Sequence, residues 1–491
     1  MFNNFIHLLK YDPKDPILFN SAFFLFFLGV FILCYQLVYK NKLHRILLFT
    51  LFSLYFFYKA CGVYVGLVVI SAIVDFIISN RIYTERDQRK KKTFLIFSII
   101  INLGLLFYFK YTDFFIEIIN DLNDGHIEPL NLLLPIGISF YTFENLSYTI
   151  DVYRGQFKPV KSFWEYLFFL SFFPKLVMGP IVRASDFIPQ ISKDYNITAQ
   201  DFAKGFFLII AGLFKKVIIS DFIYVNFVQY IFDDPLRHTG LECLLAVYGY
   251  AMVIYCDFSG YSDMAIGLAK WMGFDININF LSPYQSSTIT EFWRRWHISL
   301  SNWLRDYLYF PLGGNRLGKP RQYVNLMLTM LIGGLWHGAS WNFIIWGGLH
   351  GAALAFHKYK IEVINKKWKF FKWSWCAGRK TGIFFTFHFV CFAWIFFKAN
   401  TIPDALKIIS QITTNFDMAS AAVLYENYKY VLWIMAFGYV IHFLPDQIES
   451  RINPYLSKLS PLQYAVLLTA FIWILIQVKT SEVMMPIYLQ F

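Results

Sequence analysis

Residues 333–351 read GGLWHGASWNFIIWGGLHG, an apolar, glycine-rich stretch that carries His337 in its first half. It lies within the apolar segment 326–355, which is long enough to enter a bilayer, since a spanning helix needs about 20 apolar residues. An ionisable side chain at membrane depth is costly and by default marks a pathway or a reaction centre. The glycines allow backbones, or a long thin ligand, to approach closely. This stretch therefore predicts a membrane protein with a functional site at His337.

The composition of the whole chain agrees with that prediction. Of the 491 residues, 57% are hydrophobic, 21% are aromatic and only 15% are charged, and the mean hydropathy is +0.46. Soluble domains carry about 25% charged residues. The net charge of +12 is typical of cationic cytoplasmic loops, and no basic stripe with a nucleic-acid-reading motif appears. We expect an all-α polytopic membrane protein with no nucleic-acid partner.

Apolar segments recur along the chain, and several are too short or too broken by glycine and proline to be ordinary spans. Irregular backbone at membrane depth survives only where protein buries it or where it lines a cavity, which indicates re-entrant segments around an internal chamber. Length predicts about 11–13 membrane helices and re-entrant segments in a single membrane domain, residues 1–491. The apolar segments are residues 18–39, 47–58, 63–79, 93–109, 130–148, 164–181, 206–219, 244–271, 326–355, 382–397, 428–444 and 464–478.

Charged loops predict the orientation of the chain. Cations follow the first span at residues 40–45 and the third span at residues 81–92. Two spans separate these loops, so both lie on one side, which the positive-inside rule makes cytoplasmic. The acidic loop 113–128 after the fourth span then faces outward, and so does the N-terminus.

A second block of interest follows the middle of the chain and reads EFWRRWHISLSNWLRDYLYFPLGGNR, residues 291–316. Glu291 and Arg295 are spaced to pair on one helical face. The tryptophans and tyrosines suit an amphipathic helix that lies on the cytoplasmic face with aromatic anchors. That interpretation does not explain His297, a titratable ring that directly follows Trp296. An anchored interfacial helix and a functional His297 both remain open.

Carboxylates and cations interrupt two further apolar runs. Asp257 and Asp263 lie in YCDFSGYSDMAIG, and Lys175 and Arg183 lie in FFPKLVMGPIVR. Charges at membrane depth line a cavity or pair with an opposite charge. We favour structural ion pairs for all four residues.

The cysteines of the chain lie mostly in or beside apolar stretches, without CxxC spacing. This pattern predicts small buried side chains rather than a disulfide framework or a metal site. No HExxH motif occurs, and no metal is expected. The cysteines are Cys34, Cys61, Cys243, Cys256, Cys376 and Cys391.

The residue types around His337 suit acyl transfer. A neutral imidazole can accept a hydroxyl proton during attack on a carbonyl carbon, and a thioester donor needs no covalent enzyme nucleophile. Indole or amide N–H groups would stabilise the oxyanion, and Trp336, Trp341 and Asn342 lie near His337 in the sequence. A Ser-His-Asp hydrolase fits poorly, because GxSxG is missing. The other histidines of the apolar segments are expected to be neutral and hydrogen-bonded between helices: His350, His357, His388 and His442.

Several motifs together resemble the membrane-bound O-acyltransferase (MBOAT) family, most of all its bacterial alginate O-acetyltransferase branch, which includes peptidoglycan acetyltransferases. The motifs occur in the family's order over nearly the whole chain. They are residues 132–155, 172–183, 212–221, 255–274, 291–316, 335–351 and the terminal PIYLQF. The core with the catalytic motifs covers about residues 130–360, and C-terminal helices follow over residues 380–491. Lys175 stands where many relatives carry Gln.

The resemblance implies an MBOAT-like bundle around a central tunnel, with His337 as general base and His297 as a supporting or positioning residue. It implies that acetyl from acetyl-CoA passes from the cytoplasm toward hydroxyls of an exported polysaccharide such as alginate or peptidoglycan. A periplasmic partner of the SGNH-hydrolase type and a place in the bacterial inner membrane, in contact with membrane lipids, are also implied. The candidate substrate-binding residues are Trp336, Asn342, Trp296 and Arg294.

Three alternatives stay open at this point. D-alanyl transfer to teichoic acid belongs to the same superfamily, although the full set of motifs favours acetyl. A proton-coupled transporter could use the same buried histidine and carboxylates, but it predicts inverted repeats, which the sequence lacks. A catalytically silent scaffold for glycan export would tolerate loss of His337.

Overall fold

The computed structural model describes residues 9–13, 17–19, 21–123, 125–364, 378–445, 448–478 and 485–487. Within these ranges the regular elements are helices, and no residue lies in a strand. The all-α class is therefore confirmed. The chain divides into two compact units, the first with residues 1–206 and 264–277 and the second with residues 207–263 and 278–491. The single domain expected from the sequence stays a prediction.

The first unit is built from helices that follow one another closely. It begins with α1 (Ala22–Val38), α2 (Lys42–Cys61), α3 (Val65–Thr84), α4 (Gln88–Lys110) and α5 (Thr112–Asn123). It continues with α6 (Ile138–Tyr153), α7 (Phe163–Ser171), α8 (Phe173–Leu176), α9 (Ala184–Ile191) and the start of α10 (Ala199–Leu213). Ser21, Asn41 and Asp87 begin α1, α2 and α4, because their side chains accept backbone N–H groups of the first turn. The first four predicted spans coincide with α1 to α4, whereas α5 is a helix where a loop was expected.

A buried carboxylate joins α3, α4 and α6. Asp75 is fully buried and accepts hydrogen bonds from Ser98 Oγ (2.5 Å), Asn102 Nδ2 (2.7 Å) and Thr149 Oγ1 (3.2 Å). Buried polar groups are costly unless they are hydrogen-bonded, so these donors from two neighbouring helices fix how α3 packs. The sequence predicted Asp75 only as part of an ordinary span, since a single carboxylate does not reveal where its donors lie.

An ion pair holds the irregular segment around α8. Lys175 pairs with Glu144 of α6, whose other carboxylate oxygen accepts the backbone N–H of Val182 at 3.0 Å. The ammonium nitrogen of Lys175 also lies 4.3 Å from the ring centroid of Phe169. The structural ion pair expected for Lys175 is confirmed, and it compensates two charges that would be costly if buried alone. The pairing expected for Arg183 stays a prediction.

The second unit contains the end of α10, the π-helical segments Phe214–Asp221 and Tyr224–Val228, and α11 (Gln229–Asp233). It also holds most of α12 (Gly240–Trp271), then α13 (Ile289–Arg295), α14 (Ile298–Leu304), α15 (Lys319–His337) and α16 (Trp341–Tyr359). The chain continues with α17 (Arg379–Lys398), α18 (Ile402–Thr414), α19 (Ala421–His442), α20 (Ile448–Leu456) and α21 (Pro461–Val478). The π-helical segments Arg305–Tyr309 and Lys360–Ile364 extend α14 and α16.

The apolar segment 326–355, predicted as one segment, is divided between two helices. α15 ends at His337 and α16 begins at Trp341, where Ser340 Oγ accepts the backbone N–H of Asn342 at 3.2 Å. The sequence marked one apolar segment here without locating the helix ends, because hydropathy does not reveal a short turn between two equally apolar helices.

Glycines bring the backbones of α15 and α16 into direct contact. A Cβ atom on Gly334 would lie 2.3 Å from the carbonyl oxygen of Phe343, and one on Gly347 would lie 2.4 Å from that of Met330. Both distances are far below van der Waals contact, so only glycine fits at these two positions. The glycine-rich sequence thus serves backbone packing within the hairpin of α15 and α16.

Five helical stretches of the described chain are long and apolar enough to cross a membrane, by length and composition. They are Lys42–Thr84, which contains α2 and α3, and the helices α4, α12, α17 and α21. The polytopic membrane class is confirmed. The expected total of about 11–13 membrane segments includes shorter helices, and that number stays a prediction.

The two carboxylates of α12 that were expected to form ion pairs do so with neighbouring lysines of the second unit. Lys216 Nζ bridges Asp257 (2.6 Å) and Asp221 (2.7 Å), and Lys215 Nζ lies 2.7 Å from Asp263. The structural ion pairs predicted for Asp257 and Asp263 are therefore confirmed.

The cysteines of the described chain are small, mostly buried side chains, as predicted. Cys61, Cys243, Cys256 and Cys391 are buried free thiols, and Cys34 is half-buried and also free. Cys376 and residues 488–491 of the terminal motif lie outside the described residues.

Candidate active site

His337 ends α15 and is held by aromatic rings of the next two helices. Only 4% of its surface is exposed. Its ring meets those of Trp346 in α16 and Phe397 in α17 edge to face, with centroids 5.0 Å and 5.4 Å away. Packing from these two helices fixes the orientation of the imidazole, which proton transfer to a bound substrate requires.

Trp336 connects the two histidines that the sequence singled out. Its ring centroid lies 5.1 Å from that of His337 and 6.2 Å from that of His297. His297 is completely buried. The two histidines belong to different sequence blocks, and the fold brings both against the same indole.

The aromatic residues around His297 are not membrane anchors. Trp293, Trp296 and Trp303 are at most 9% exposed, and the ring of Trp296 lies 5.0 Å from that of Trp394. Anchors need access to the membrane–water interface. The interfacial-helix interpretation is therefore wrong for these residues, which belong to the aromatic core of the second unit.

Two predicted substrate-binding residues have other neighbours. Asn342 Nδ2 donates to the carbonyl oxygen of Ala399 at 2.6 Å, so this amide ties α16 to the end of α17. Arg294 is exposed on α13, whereas Arg295 pairs with Glu291 at 3.2 Å, as predicted. The roles of Asn342 and Arg294 in substrate binding stay predictions.

Sequence reasoning missed Trp346. Its indole is 1% exposed, with its ring centroid 5.0 Å from that of His337 and 4.8 Å from that of His350. Among the residues that the structure describes, its Nε1–H has no hydrogen-bond partner, although buried indole N–H groups usually find one. Such a donor can bind a negatively charged oxygen of a ligand. The sequence did contain one signal for Trp346. It lies four residues before His350 on α16, so the two side chains share one face of the helix.

The four other histidines that were expected to form hydrogen bonds between helices are all hydrogen-bonded, three of them to a residue of another element. These three pairs are His350 with Trp293 (3.3 Å), His357 with Thr290 (2.7 Å) and His442 with Tyr284 (3.1 Å). His388 differs, because its Nδ1 lies 2.7 Å from the carbonyl oxygen of Phe384 in its own helix.

We call His297, Trp336, His337 and Trp346 the histidine cluster. It offers two imidazoles that can exchange a proton and two indoles that can donate N–H hydrogen bonds, the groups that acyl transfer uses. Within the described part of the chain, no three His, Cys, Asp or Glu side chains are grouped so that they could hold a metal ion.

One protein family and several known proteins are similar in sequence to this chain. The family model of membrane-bound O-acyltransferases (MBOAT) matches residues 156–396. The peptidoglycan O-acetyltransferase of Helicobacter pylori is 37% identical over 425 residues, which cover 80% of this chain and 79% of that protein. The probable alginate O-acetylase AlgI of Azotobacter vinelandii is 39% identical over 401 residues, which cover 79% of this chain and 77% of that protein. The teichoic acid D-alanyltransferase of Bacillus subtilis is 32% identical over 288 residues, or 56% of this chain and 71% of that protein.

The chain belongs to the MBOAT family, as its motifs indicated. It is therefore a multi-pass membrane enzyme, an O-acyltransferase, rather than a transporter or a silent scaffold. The matched residues 156–396 include the whole histidine cluster.

Proposed function

We propose that this enzyme transfers acetyl groups from cytoplasmic acetyl-CoA to hydroxyl groups of an exported cell-surface polysaccharide, such as alginate or peptidoglycan. The histidine cluster carries the proposal, because it sets two buried histidines against one indole, with a second buried indole beside His337. The relatives that match about four fifths of the chain are named for acetylation of these two polymers, which supports acetyl as the transferred group.

His337 acts as the general base. When the acceptor hydroxyl oxygen attacks the thioester carbonyl carbon, the imidazole takes the hydroxyl proton. The tetrahedral intermediate then collapses, its C–S bond breaks, and the leaving thiolate takes the proton back from the imidazolium. An oxygen ester replaces the thioester, and no covalent enzyme intermediate is needed.

Trp346 stabilises the oxyanion of that intermediate. Its buried Nε1–H is available to a ligand, since no acceptor satisfies it within the described chain. A fixed donor in a site with little water stabilises developing negative charge strongly, because it needs no reorganisation during the reaction.

His297 supports the base through Trp336. We infer that it positions the reacting groups and exchanges a proton with them. Its burial and its contact with the same indole support this role.

The acetyl group passes through a central tunnel from the cytoplasmic face of the bacterial inner membrane to its periplasmic face. There the new oxygen ester is the donor for a partner of the SGNH-hydrolase type, which transfers the acetyl group to a hydroxyl of the polysaccharide and so regenerates the first acceptor hydroxyl. The resemblance described above supports this direction and this partner. D-alanyl transfer is the weaker alternative, because the matching D-alanyltransferase covers only 56% of the chain, at 32% identity.

Inside-out membrane vesicles test the donor and the direction together. Vesicles that contain the enzyme and an SGNH-type partner are supplied with radiolabelled acetyl-CoA, or with radiolabelled D-alanyl carrier protein. We expect label from acetyl-CoA to appear as alkali-labile esters inside the vesicles. Label from the D-alanyl carrier alone would overturn the proposal in favour of D-alanylation.

A further inference from the structure

The side chain of Asn279, which precedes His297 in the chain, contacts the His297 ring. The asparagine is fully buried in the connection between α12 and α13. Its Oδ1 accepts hydrogen bonds from the backbone N–H of Ser299 at 3.1 Å and from the Ser299 hydroxyl at 2.9 Å. The same oxygen lies 3.1 Å from Nδ1 of His297.

The backbone N–H of Ser299 fixes the orientation of the Asn279 amide. A backbone N–H only donates, so the amide atom that it meets is the carbonyl oxygen and not the NH₂ group. An oxygen only accepts here, so Nδ1 of His297 must carry the hydrogen of that bond. In the neutral ring this leaves the lone pair on Nε2.

We propose that Asn279 is a positioning residue that holds neutral His297 in the Nδ1–H form, so that Nε2 is the ring atom that exchanges a proton. This inference deepens the function proposed above and rests on it. A neutral carboxamide suits the task, because it fixes a tautomer without adding a charge to the buried site. The same principle orients catalytic histidines in other enzymes through a side-chain oxygen at the second ring nitrogen.

The backbone of Asn279 contributes to the same arrangement. Its carbonyl oxygen accepts the N–H of Ile298 at 2.9 Å, and Leu281 N–H donates to the carbonyl oxygen of Arg295 at 3.0 Å. These two bonds fix the backbone on both sides of His297, at Arg295 before it and at Ile298 after it. The ring also packs edge to face on Phe258, with centroids 4.6 Å apart, so its rotation is restricted.

A spectroscopic measurement tests the tautomer without relying on activity. The protein is labelled with ¹⁵N in its histidine rings, reconstituted in membranes, and the His297 signals are assigned by their loss in His297→Gly. At a pH where the ring is neutral, we expect a protonated Nδ1 and an unprotonated Nε2 in the wild type and in Asn279→Asp, and loss of this preference in Asn279→Ala. A wild-type ring that carries its hydrogen on Nε2 would overturn the inference.

Acetyl transfer as a function of pH tests the positioning role. Asn279→Ala is expected to lose between about 10-fold and 100-fold of activity. Asn279→Asp keeps the acceptor, so it should recover activity, but its carboxylate favours the imidazolium. The acidic limb of the pH profile should therefore move to higher pH.

Ser262→Ala is the matched control. The Ser262 hydroxyl accepts a hydrogen bond from the NH₂ group of Asn279, with Oγ 3.4 Å from Nδ2, rather than bonding the carbonyl oxygen that faces His297. It should leave both the tautomer and the pH profile unchanged. Full activity of Asn279→Ala with a changed tautomer would overturn the positioning role while leaving acetyl transfer itself intact. A wild-type enzyme that shows no acetyl transfer would instead contradict the proposed function.

Discussion

His297 adopts a left-handed backbone conformation, with φ 41° and ψ 57°. Residues with a Cβ pay about 1–2 kcal/mol for this conformation, whereas glycine does not. His297→Gly therefore removes the imidazole and relieves the backbone, while His297→Ala removes the imidazole and keeps the strain. We expect both variants to lose most acetyl transfer, and the glycine variant to have the higher melting temperature. Wild-type activity of His297→Gly would exclude His297 from the reaction.

A substitution at Trp346 tests its role as the donor that stabilises the oxyanion. Trp346→Phe keeps an aromatic ring against His337 and removes the Nε1–H. Loss of one oxyanion donor lowers kcat by about 100-fold to 1000-fold in well-studied cases, so we expect a loss of that order with little change in KM. Trp303→Phe is the matched control, because its indole is also buried, at 8% exposure, and packs on Tyr307. Equal rates for Trp346→Phe and the wild type would contradict the assigned role.

The sequence predicted the candidate site only in part, and the reason is geometric. His337 and His297 could be found, because a titratable ring among apolar neighbours is conspicuous. Trp346 and Asn279 could not, because an indole in an aromatic-rich helix and an asparagine in a loop look ordinary until their neighbours are known. For the same reason the sequence left Trp296 open between a membrane-surface anchor and a substrate-binding residue, and the fold buries it completely.

At the scale of elements, the close packing of α15 and α16 predicts how alanine substitutions in this hairpin change stability. A Cβ on Gly347 would lie 2.4 Å from the carbonyl oxygen of Met330, whereas one on Gly348 would lie 3.6 Å from a side-chain methyl of Leu331. Gly347→Ala should therefore force the helices apart and cost about 1–3 kcal/mol, and Gly348→Ala should be neutral. Thermal unfolding in detergent, followed by size exclusion, measures the difference. Equal melting temperatures would show that the two helices separate without cost.

Helix positions were predictable where one hydrophobic span follows another, as in α1 to α4. They were not predictable where short turns join apolar helices, as between His337 and Trp341, because no change in hydropathy marks the turn. The packing partners of a buried charge were equally hidden. Lys175 was expected to form an ion pair, but only the fold identifies Glu144 as its partner.

Orientation in the membrane is a property of the whole molecule. The loop that contains Arg86 follows α3 and is cationic, and Glu128 follows the next long helix, α4, and the short helix α5. Both residues are exposed. The positive-inside rule predicts a cytoplasmic Arg86 and an external Glu128. In intact cells a membrane-impermeant thiol reagent should label Glu128→Cys and not Arg86→Cys, with the wild type as background. The reverse pattern would invert the predicted direction of transfer.

General base catalysis by His337 is the central claim, and acetyl transfer in purified membranes tests it most directly. His337→Asn is compared with the wild type and with His442→Gln, a control that replaces a histidine of the same 4% exposure. We expect His337→Asn to insert and fold normally while it loses about 100-fold to 10,000-fold of the transfer rate. His442→Gln should keep most of its activity, because glutamine can still accept the N–H of Tyr284. Transfer by His337→Asn at the wild-type rate would contradict the account.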